Sequence, residues 1–224
     1  MATIVFDLDG TLVHTAPDLL ATTNAVLAEE GVAPVDRAQL NNLVGQGGRA
    51  MLARALGERG EPADDTRLDR LVPRFLALYE ASIPGGSVPF EGAVPMLDAL
   101  RAHGHALAVC TNKFERLSRL LLEALDLDDR FAAICGPDTF DVRKPDPEHL
   151  VRTVRAAGGV PDEAVMVGDS RNDILAAQRA GIPSIGVTFG YTDEPVASFG
   201  PEATVDALAA IDVALIDRLL AARA

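Results

Sequence analysis

Lysine and cysteine are scarce in this sequence of 224 residues, and long apolar runs are absent. Two cysteines, Cys110 and Cys135, cannot build a disulfide framework and suit the reducing conditions of the cytoplasm. No apolar stretch approaches the roughly 20 residues that a membrane-spanning helix needs. The first residues carry carboxylates and no basic segment, which is not the pattern of a secretory signal peptide. The sequence therefore predicts a cytoplasmic protein without a membrane span.

Positive charge is the second scarce property, because the formal net charge is −13 at pH 7. Such a surface repels nucleic acid and acidic membranes, so we expect neither as a partner. Only two lysines occur, Lys113 and Lys144, against eighteen arginines. An acidic enzyme that binds a phosphate anion needs local cations, and both lysines stand in motif-like stretches. They are therefore candidate site residues, with chance placement in an arginine-rich chain as the alternative.

Internal repeats, low-complexity segments and the G-x-x-x-x-G-K-[ST] phosphate loop are also missing. What remains is an ordinary globular composition, 48% apolar and 24% charged. Short apolar runs alternate with helical patterns, which predicts an α/β fold with a doubly wound, parallel, Rossmann-like sheet. The predicted strands lie at 4–6, 106–110, 131–135, 164–167, 184–187 and, at the edge, 203–205. The predicted helices lie at 93–102, 115–125, 147–157, 173–180 and from 208 onward.

The stretch within residues 15–84 interrupts this alternation, because its periodicity is helical throughout. We expect a short helix from Asp36 and a loop at 44–48 that leads into a further helix. A block of helices between two α/β segments indicates an inserted domain rather than more sheet. We therefore predict a catalytic core from residues 1–14 and 85–224, with residues 15–84 forming an all-α cap inserted after the first strand.

The most informative stretch is the end of the first predicted strand, where Phe6 is followed by Asp7-Leu8-Asp9-Gly10-Thr11. A short apolar run closed by a turn predicts a buried, parallel strand. Ligands bind beyond the carboxyl ends of such strands, so Asp7 and Asp9 would lie at that edge. Two neighbouring carboxylates repel each other unless a cation lies between them, and oxygen-only ligands favour magnesium. The alternative is a surface turn that caps a helix.

Three later stretches carry polar residues at or near strand ends. Thr111 and Asn112 offer a hydroxyl, an amide and backbone N–H groups to an anionic oxygen, although such a pair often only caps a helix. Lys144 is a compact charge suited to orienting a carboxylate and offsetting charge on a phosphoryl group, with a solvated loop lysine as the alternative. Asp169 and Asp173 are one helical turn apart and would face one site, unless they only favour a helix start.

These four stretches, in this order over residues 7–173, resemble the four signatures of the haloacid dehalogenase superfamily of phosphohydrolases. The resemblance implies that Asp7 is the nucleophile that takes the phosphoryl group and that Asp9 is the general acid/base. The second carboxylate, with Thr11 following, is similar to the phosphatase and phosphomutase branches, since the dehalogenases lack it. The resemblance also implies that Thr111 binds the phosphoryl group and that Lys144 is the signature lysine.

In such a site we expect Mg²⁺ to be held by Asp7, Asp169 and the backbone carbonyl of Asp9, with Asp173 supporting the ligands from behind or acting through water. Magnesium and Lys144 would neutralise the phosphate so that Asp7 can approach it in line. Asp9 would protonate the leaving group while an aspartyl-phosphate forms on Asp7, and would then draw a proton from the attacking water.

Substrate binding is expected from a further set of residues, namely Gly10, Arg49, Thr111, Asn112 and Lys113. Arg49 follows a flexible glycine loop at a helix start and could hold a carboxylate, or it could be a solvated helix residue. With Thr111-Asn112-Lys113 and residues 144–150, this loop is similar to the bacterial phosphoglycolate phosphatase branch, which implies 2-phosphoglycolate as substrate. One departure is His14-Thr15 at the hinge into the cap, where relatives usually carry Asp-Ser.

Other functions stay open at this point. Caps of this kind also serve phosphatases of sugar phosphates, pyrophosphatases and β-phosphoglucomutases. A phospho-accepting signalling domain likewise carries Asp, Thr and Lys with magnesium at its strand ends. That alternative has no role for Asp9 as acid/base, and a helical insert of roughly 65 residues is too large for an ordinary connection. The expected partner is a small phosphorylated metabolite, bound by a monomer or homodimer.

Overall fold

The computed structural model describes residues 1–36, 47–192 and 194–222. Its centre is a six-stranded sheet, whose strands are β1 (Thr3–Phe6), β4 (Ala106–Cys110), β5 (Ala133–Cys135), β6 (Ala164–Gly168), β7 (Ser184–Val187) and β8 (Ala203–Val205). They lie in the order β5-β4-β1-β6-β7-β8, and every neighbouring pair is parallel. The predicted doubly wound, parallel, Rossmann-like sheet is thereby confirmed.

Strand β1 is apolar at nearly every position because both faces of the sheet are covered. Successive side chains point to opposite faces of a strand. Ile4 and Phe6 therefore join the hydrophobic cluster on one face, and Val5 joins the cluster on the other. All three are fully buried. Burial on both sides explains the continuous apolar run that the sequence shows here.

Helices pack on both faces of the sheet, close to the positions predicted for them. The predicted helix at 173–180 begins two residues earlier, because Ser170 and Asp173 cap its first turn through the Ser170 N–H and hydroxyl. No helix in the described ranges has the length and apolarity to cross a bilayer. The helices of the core are α4 (Ala93–Ala102), α5 (Glu115–Ala124), α6 (Pro137–Phe140), α7 (Pro147–Ala156), α8 (Arg171–Ala180) and α9 (Val213–Ala221).

The end of the chain differs from the prediction of one helix from residue 208. A 3₁₀ turn at Leu208–Ala210 comes first, and α9 begins only at Val213. Asp212 causes this separation, since its side chain accepts a hydrogen bond from the Leu215 N–H and so caps a new helix. Further 3₁₀ turns lie at Asp128–Arg130, Pro161–Glu163 and Val196–Phe199.

Three long helices lie between the first strand and the rest of the sheet: α1 (Ala16–Glu29), α2 (Gly48–Glu58) and α3 (Asp65–Ser82). They pack against one another around a hydrophobic cluster of their own, with Leu27, Leu52 and Phe75 among its buried members. We call these helices and their connections the helical insert. The short helix expected from Asp36 and the loop residues 44–46 lie outside the described residues.

A two-stranded antiparallel ribbon, absent from the sequence prediction, joins the two ends of the helical insert. Its strands are β2 (Val13–His14) and β3 (Val88–Pro89). Asp18, near the start of α1, is buried and accepts hydrogen bonds from the backbone N–H groups of Gly86 and Ser87, at 2.6 and 2.9 Å. The chain therefore enters and leaves the insert at one place, tied by backbone pairing and by one carboxylate.

Candidate active site

The sheet order brings the candidate residues together because β4 and β6 are the two neighbours of β1. Phe6 is in register with Val109 on one side and with Val167 on the other, so the three strands end at the same level. The Asp7 N–H extends the ladder by donating to the Val167 carbonyl at 2.9 Å. The residues that follow these three strands, from Asp7, Thr111 and Asp169 onward, therefore meet at one edge.

Three carboxylates form a buried cluster at this edge. One oxygen from each of Asp7, Asp169 and Asp173 lies within 4.8 Å of the others, and the three residues are only 0–4% exposed. Burial raises the pKa of Asp7 to about 7, with Asp173 adding to the effect and Lys144 opposing it. Burial, together with the neighbouring carboxylates of Asp173 and Asp7, raises the pKa of Asp169 as well.

Negative charge is thus costly at this cluster, and a bound cation would remove the cost. The donors are all hard carboxylate oxygens, which is the ligand chemistry of Mg²⁺ and Ca²⁺. The residues present therefore fit a divalent metal ion, and the assignment of Asp7 and Asp169 as its ligands stays a prediction.

Lys144 connects the nucleophile candidate to Asp173. Its Nζ donates to Asp7 Oδ1 at 2.8 Å and to Asp173 Oδ1 at 2.5 Å, and its side chain is 2% exposed. Burial alone would lower the pKa of Lys144, but the two carboxylates outweigh that effect and raise it. The ammonium therefore stays charged. Asp173, predicted to support the metal ligands or to act through water, contacts Lys144 directly, and its role toward a metal stays a prediction.

Asn112 fixes the backbone of the same lysine. Its side-chain oxygen accepts from the Lys144 N–H at 3.0 Å, and its side-chain nitrogen donates to the Lys144 carbonyl at 3.1 Å. The amide is therefore engaged in positioning Lys144, and its predicted contact with phosphate stays a prediction. Thr111 is buried, and its hydroxyl accepts from the Lys113 N–H at 3.2 Å.

The second lysine faces the second aspartate. Lys113 Nζ donates to both carboxylate oxygens of Asp9, at 2.6 and 2.9 Å, and each side chain is 7% exposed. Burial would lower the pKa of Lys113, but the Asp9 carboxylate raises it above its usual value. The two lysines of the chain are thus divided between the two aspartates of the first motif, Lys144 on Asp7 and Lys113 on Asp9. The metal contact predicted for Asp9 concerns its backbone carbonyl, which this ion pair does not involve.

Gly10 allows the turn after the first motif to approach Asp169. Its φ is +87°, and a Cβ there would lie 2.5 Å from Asp169 Oδ2. Its N–H donates to the Val13 carbonyl at 3.0 Å, so its predicted contribution to phosphate binding stays a prediction. Asp169 is held in place by the Thr11 hydroxyl at 3.2 Å and the Tyr191 N–H at 2.7 Å.

A cleft of about 80 Å³ lies between the core and the helical insert, next to Asp9 and Lys113. Most of its wall is apolar, and the insert contributes Tyr79 from α3. Tyr79 could not be recognised as a site residue from the sequence, because it follows the apolar stripe of that helix. The lining residues are Asp9, Leu19, Gly47, Gly48, Met51, Phe75, Leu76, Tyr79, Asn112, Lys113, Phe114 and Leu117.

Arg49, the expected carboxylate ligand of the insert, takes other partners in the structure. Its guanidinium pairs with Asp65 at 2.7 Å and with Asp69 at 2.5 Å on the surface of the insert. Its side chain is 42% exposed, whereas the preceding Gly47 and Gly48 line the cleft. A contact between Arg49 and substrate therefore stays a prediction.

The fold and the site define a class of enzyme: buried aspartates, a buried lysine and a potential metal site meet at the carboxyl ends of parallel strands, as phosphoryl transfer through an aspartate requires. The chain belongs to the haloacid dehalogenase-like hydrolase family, whose model matches residues 4–187. The superfamily resemblance of the four motifs is thereby confirmed.

Individual relatives agree with this family. The phosphoglycolate phosphatase of Agrobacterium fabrum is 49% identical over 216 residues, which cover 96% of this chain and 93% of that protein. The crystal structure of a predicted phosphoglycolate phosphatase from Haemophilus somnus matches with a TM-score of 0.87 at 29% identity, covering 94% of this chain and 96% of that one. A β-phosphoglucomutase from Clostridium difficile shares the fold, with a TM-score of 0.81 at 17% identity over 100% of this chain and 98% of that one.

Proposed function

We propose that the protein is a magnesium-dependent phosphatase that hydrolyses 2-phosphoglycolate to glycolate and phosphate through an aspartyl-phosphate on Asp7. The observation that carries this proposal is the contact of Lys144 with Asp7 and Asp173 inside a buried carboxylate cluster. Relatives that cover nearly the whole chain are phosphoglycolate phosphatases, and this supports the choice of substrate.

The metal would be held by Asp7, Asp169 and the backbone carbonyl of Asp9. When bound, it supplies charge neutralisation for the carboxylates and for the phosphate oxygens of the substrate. The raised pKa values of Asp7 and Asp169 support this assignment, because a cation would return both groups to their charged form. Magnesium fits better than a softer metal because every proposed ligand is an oxygen.

Three side chains, those of Asp7, Lys144 and Asp9, have different roles in the proposed reaction. Asp7 attacks phosphorus with a carboxylate oxygen, and the P–O bond to glycolate breaks as the new P–O bond forms. Lys144 offsets the charge that develops on the phosphoryl oxygens. Asp9 gives a proton to the glycolate oxygen, then takes one from the water that cleaves the aspartyl-phosphate.

The cleft supports a small, charged substrate. Its wall offers few polar groups among the described residues, whereas a hexose phosphate presents several hydroxyls that would each need a partner. We propose that the helical insert is the cap predicted for residues 15–84, and that it closes this cleft over the substrate. Cys110 and Cys135 are both buried and free, which supports the expected cytoplasmic setting.

Phosphate release from a substrate panel tests the proposal. The panel contains 2-phosphoglycolate, glucose 6-phosphate, β-glucose 1-phosphate and pyrophosphate, each with Mg²⁺ and with EDTA. We expect the highest kcat/KM for 2-phosphoglycolate, loss of activity in EDTA and no activity for Asp7→Asn. Faster turnover of a sugar phosphate or of pyrophosphate would contradict the substrate, and full activity of Asp7→Asn would contradict the mechanism.

A further inference from the structure

Lys113 holds the carboxylate that must act as acid and base. Both Asp9 oxygens accept from its ammonium, and both side chains are almost fully buried. A general acid must bring one oxygen within hydrogen-bond distance of the group that it protonates. Asp9 is instead turned toward Lys113 with both oxygens, so this pair has to separate before Asp9 can protonate a leaving group.

Tyr79 provides an independent observation at the same ammonium. Lys113 Nζ lies 4.6 Å from the centroid of the Tyr79 ring. Tyr79 is 1% exposed, and its hydroxyl, which interacts with the Lys113 ammonium, has no acceptor for its own proton within the part of the chain that the structure describes. Buried hydroxyls without a partner are costly, so each one calls for an explanation. A ligand atom in the cleft is the explanation that the lining offers.

The rest of the cleft explains why only an anionic group would suit this position. Apolar side chains such as Leu19, Met51 and Phe75 surround the polar pair. In such surroundings a charge is stable only when it is paired. An incoming carboxylate would therefore be attracted to Lys113, while an uncharged group would leave the Lys113–Asp9 pair as it is.

We propose that Lys113 and Tyr79 form the subsite for the second anionic group of the substrate, and that Lys113 exchanges Asp9 for this group when the substrate binds. In 2-phosphoglycolate this group is the carboxylate, so the inference rests on the proposed function. Lys113 donates to the carboxylate from the core, and the Tyr79 hydroxyl donates to it from the insert. Asp9 is released at the same moment, takes up a proton from water and can turn toward the glycolate oxygen, to which it then gives that proton.

This exchange makes the second charge of the substrate a condition for catalysis. Asp9 follows Asp7 by only two residues, which suits a short phosphoester with an acid group at its other end. Phosphate monoesters without such a group would bind at Asp7 but would not displace Lys113. Selectivity would therefore be seen in kcat as well as in KM.

The test compares 2-phosphoglycolate with 2-hydroxyethyl phosphate, in which a hydroxymethyl group replaces the carboxylate. Hydrogen bonds to charged groups predict a preference of about 10–100-fold in kcat/KM for 2-phosphoglycolate by the wild type. Tyr79→Phe should reduce this ratio about tenfold without altering the size of the side chain. Lys113→Met should nearly abolish the preference, so that kcat/KM is similar for the two substrates. Arg116→Met is the control, because it removes an exposed cation that pairs with Glu80 of the insert outside the cleft.

Equal loss of kcat/KM on both substrates in Tyr79→Phe and Lys113→Met would overturn the inference, and so would a wild type without preference. Calorimetric titration of 2-phosphoglycolate into Asp7→Asn, with and without Lys113→Met, separates the inference from the proposed function. If 2-phosphoglycolate binds with at least tenfold dependence on Lys113 but is not hydrolysed by the wild type, the proposed function fails and the subsite stands. If it is hydrolysed and its affinity does not depend on Lys113, the subsite fails and the function stands.

Discussion

The core and the helical insert differ in where their paired charged side chains lie. In the core, Lys144 and Lys113 are buried against carboxylates and form the centre of the site. In the insert, arginines pair with carboxylates at the surface, as Arg70 does with Glu30 at 2.8 Å. The insert thus has its charged side chains at the surface, in contact with water, and lines the cleft with apolar side chains and the buried hydroxyl of Tyr79.

This contrast assigns different tasks to the two regions. Buried ion pairs keep strong electrostatic interactions but are destabilising when one partner is lost, and chemistry at phosphorus needs such strength. Exposed ion pairs contribute little and are screened by salt. The core should therefore set whether the reaction proceeds, whereas the insert should set which substrate enters.

The largest effect should follow from a change at the acid/base in the core. Asp9→Asn should lower kcat about 10²–10⁴-fold, because the amide can neither donate the proton nor take it back. Asp69→Asn in the insert is the control and should keep the wild-type rate. Both rates come from steady-state phosphate release, and an Asp9→Asn rate near that of the wild type would disprove the assigned role.

The second effect concerns stability. Lys144→Met leaves Asp7 and Asp173 buried without their cation and should cost about 3–5 kcal/mol in the free energy of unfolding. Arg70→Met, in the insert, should leave the free energy of unfolding close to the wild-type value, because its ion pair is exposed. Urea unfolding of both variants at neutral pH measures the difference. Equal losses would show that burial does not distinguish the two regions.

The third effect is a pH dependence that originates in the core. Burial, assisted by Lys144, lowers the pKa of His149 from 6.5 to about 4. Between these values the unfolded chain binds a proton at this histidine and the folded chain does not, so folding loses stability as the pH falls. The loss amounts to about 3 kcal/mol by pH 4. The difference in the free energy of unfolding between His149→Leu and the wild type, measured in urea from pH 7 to pH 4, should shift in favour of the variant by this amount, because the effects of all other groups cancel in the difference. The exposed His103→Leu is the control and should show no such shift.

The smallest effect is expected on the surface of the insert. Arg49→Met removes two exposed ion pairs and should leave the free energy of unfolding close to the wild-type value. Because its guanidinium is held by Asp65 and Asp69, KM for 2-phosphoglycolate should stay close to the wild-type value. A large increase in KM would instead establish the substrate contact that the sequence suggested for Arg49.

The sheet could be predicted from the sequence because local signals and tertiary demands coincide there. Val5 and its neighbours form an apolar run that ends in a turn, and the same is true of the strand at Ala164–Gly168. The ribbon of Val13–His14 and Val88–Pro89 could not be predicted. Its strands have two residues each, which is too short for a periodic pattern, and they are paired by the path of the insert.

The sequence predicts which residues lie together in the site, but it does not predict which of their atoms are in contact. The ends of parallel strands place Asp7, Thr111 and Asp169 together, and this follows from topology alone. The pairing of Asp9 with Lys113 depends on how the chain turns after each strand, which no spacing rule gives. Tyr79 gave no signal, since a tyrosine in an apolar stripe has the pattern of any core residue.

The confinement of lysine to Lys113 and Lys144 has a practical consequence. Both ε-amines of the sequence are buried beside carboxylates of the site. Biosynthetic incorporation of lysine labelled with ¹³C at the ε-carbon would therefore place spectroscopic probes at these two positions and nowhere else. Two ε-methylene resonances, without background from the rest of the molecule, would then report directly on the arrival of a ligand.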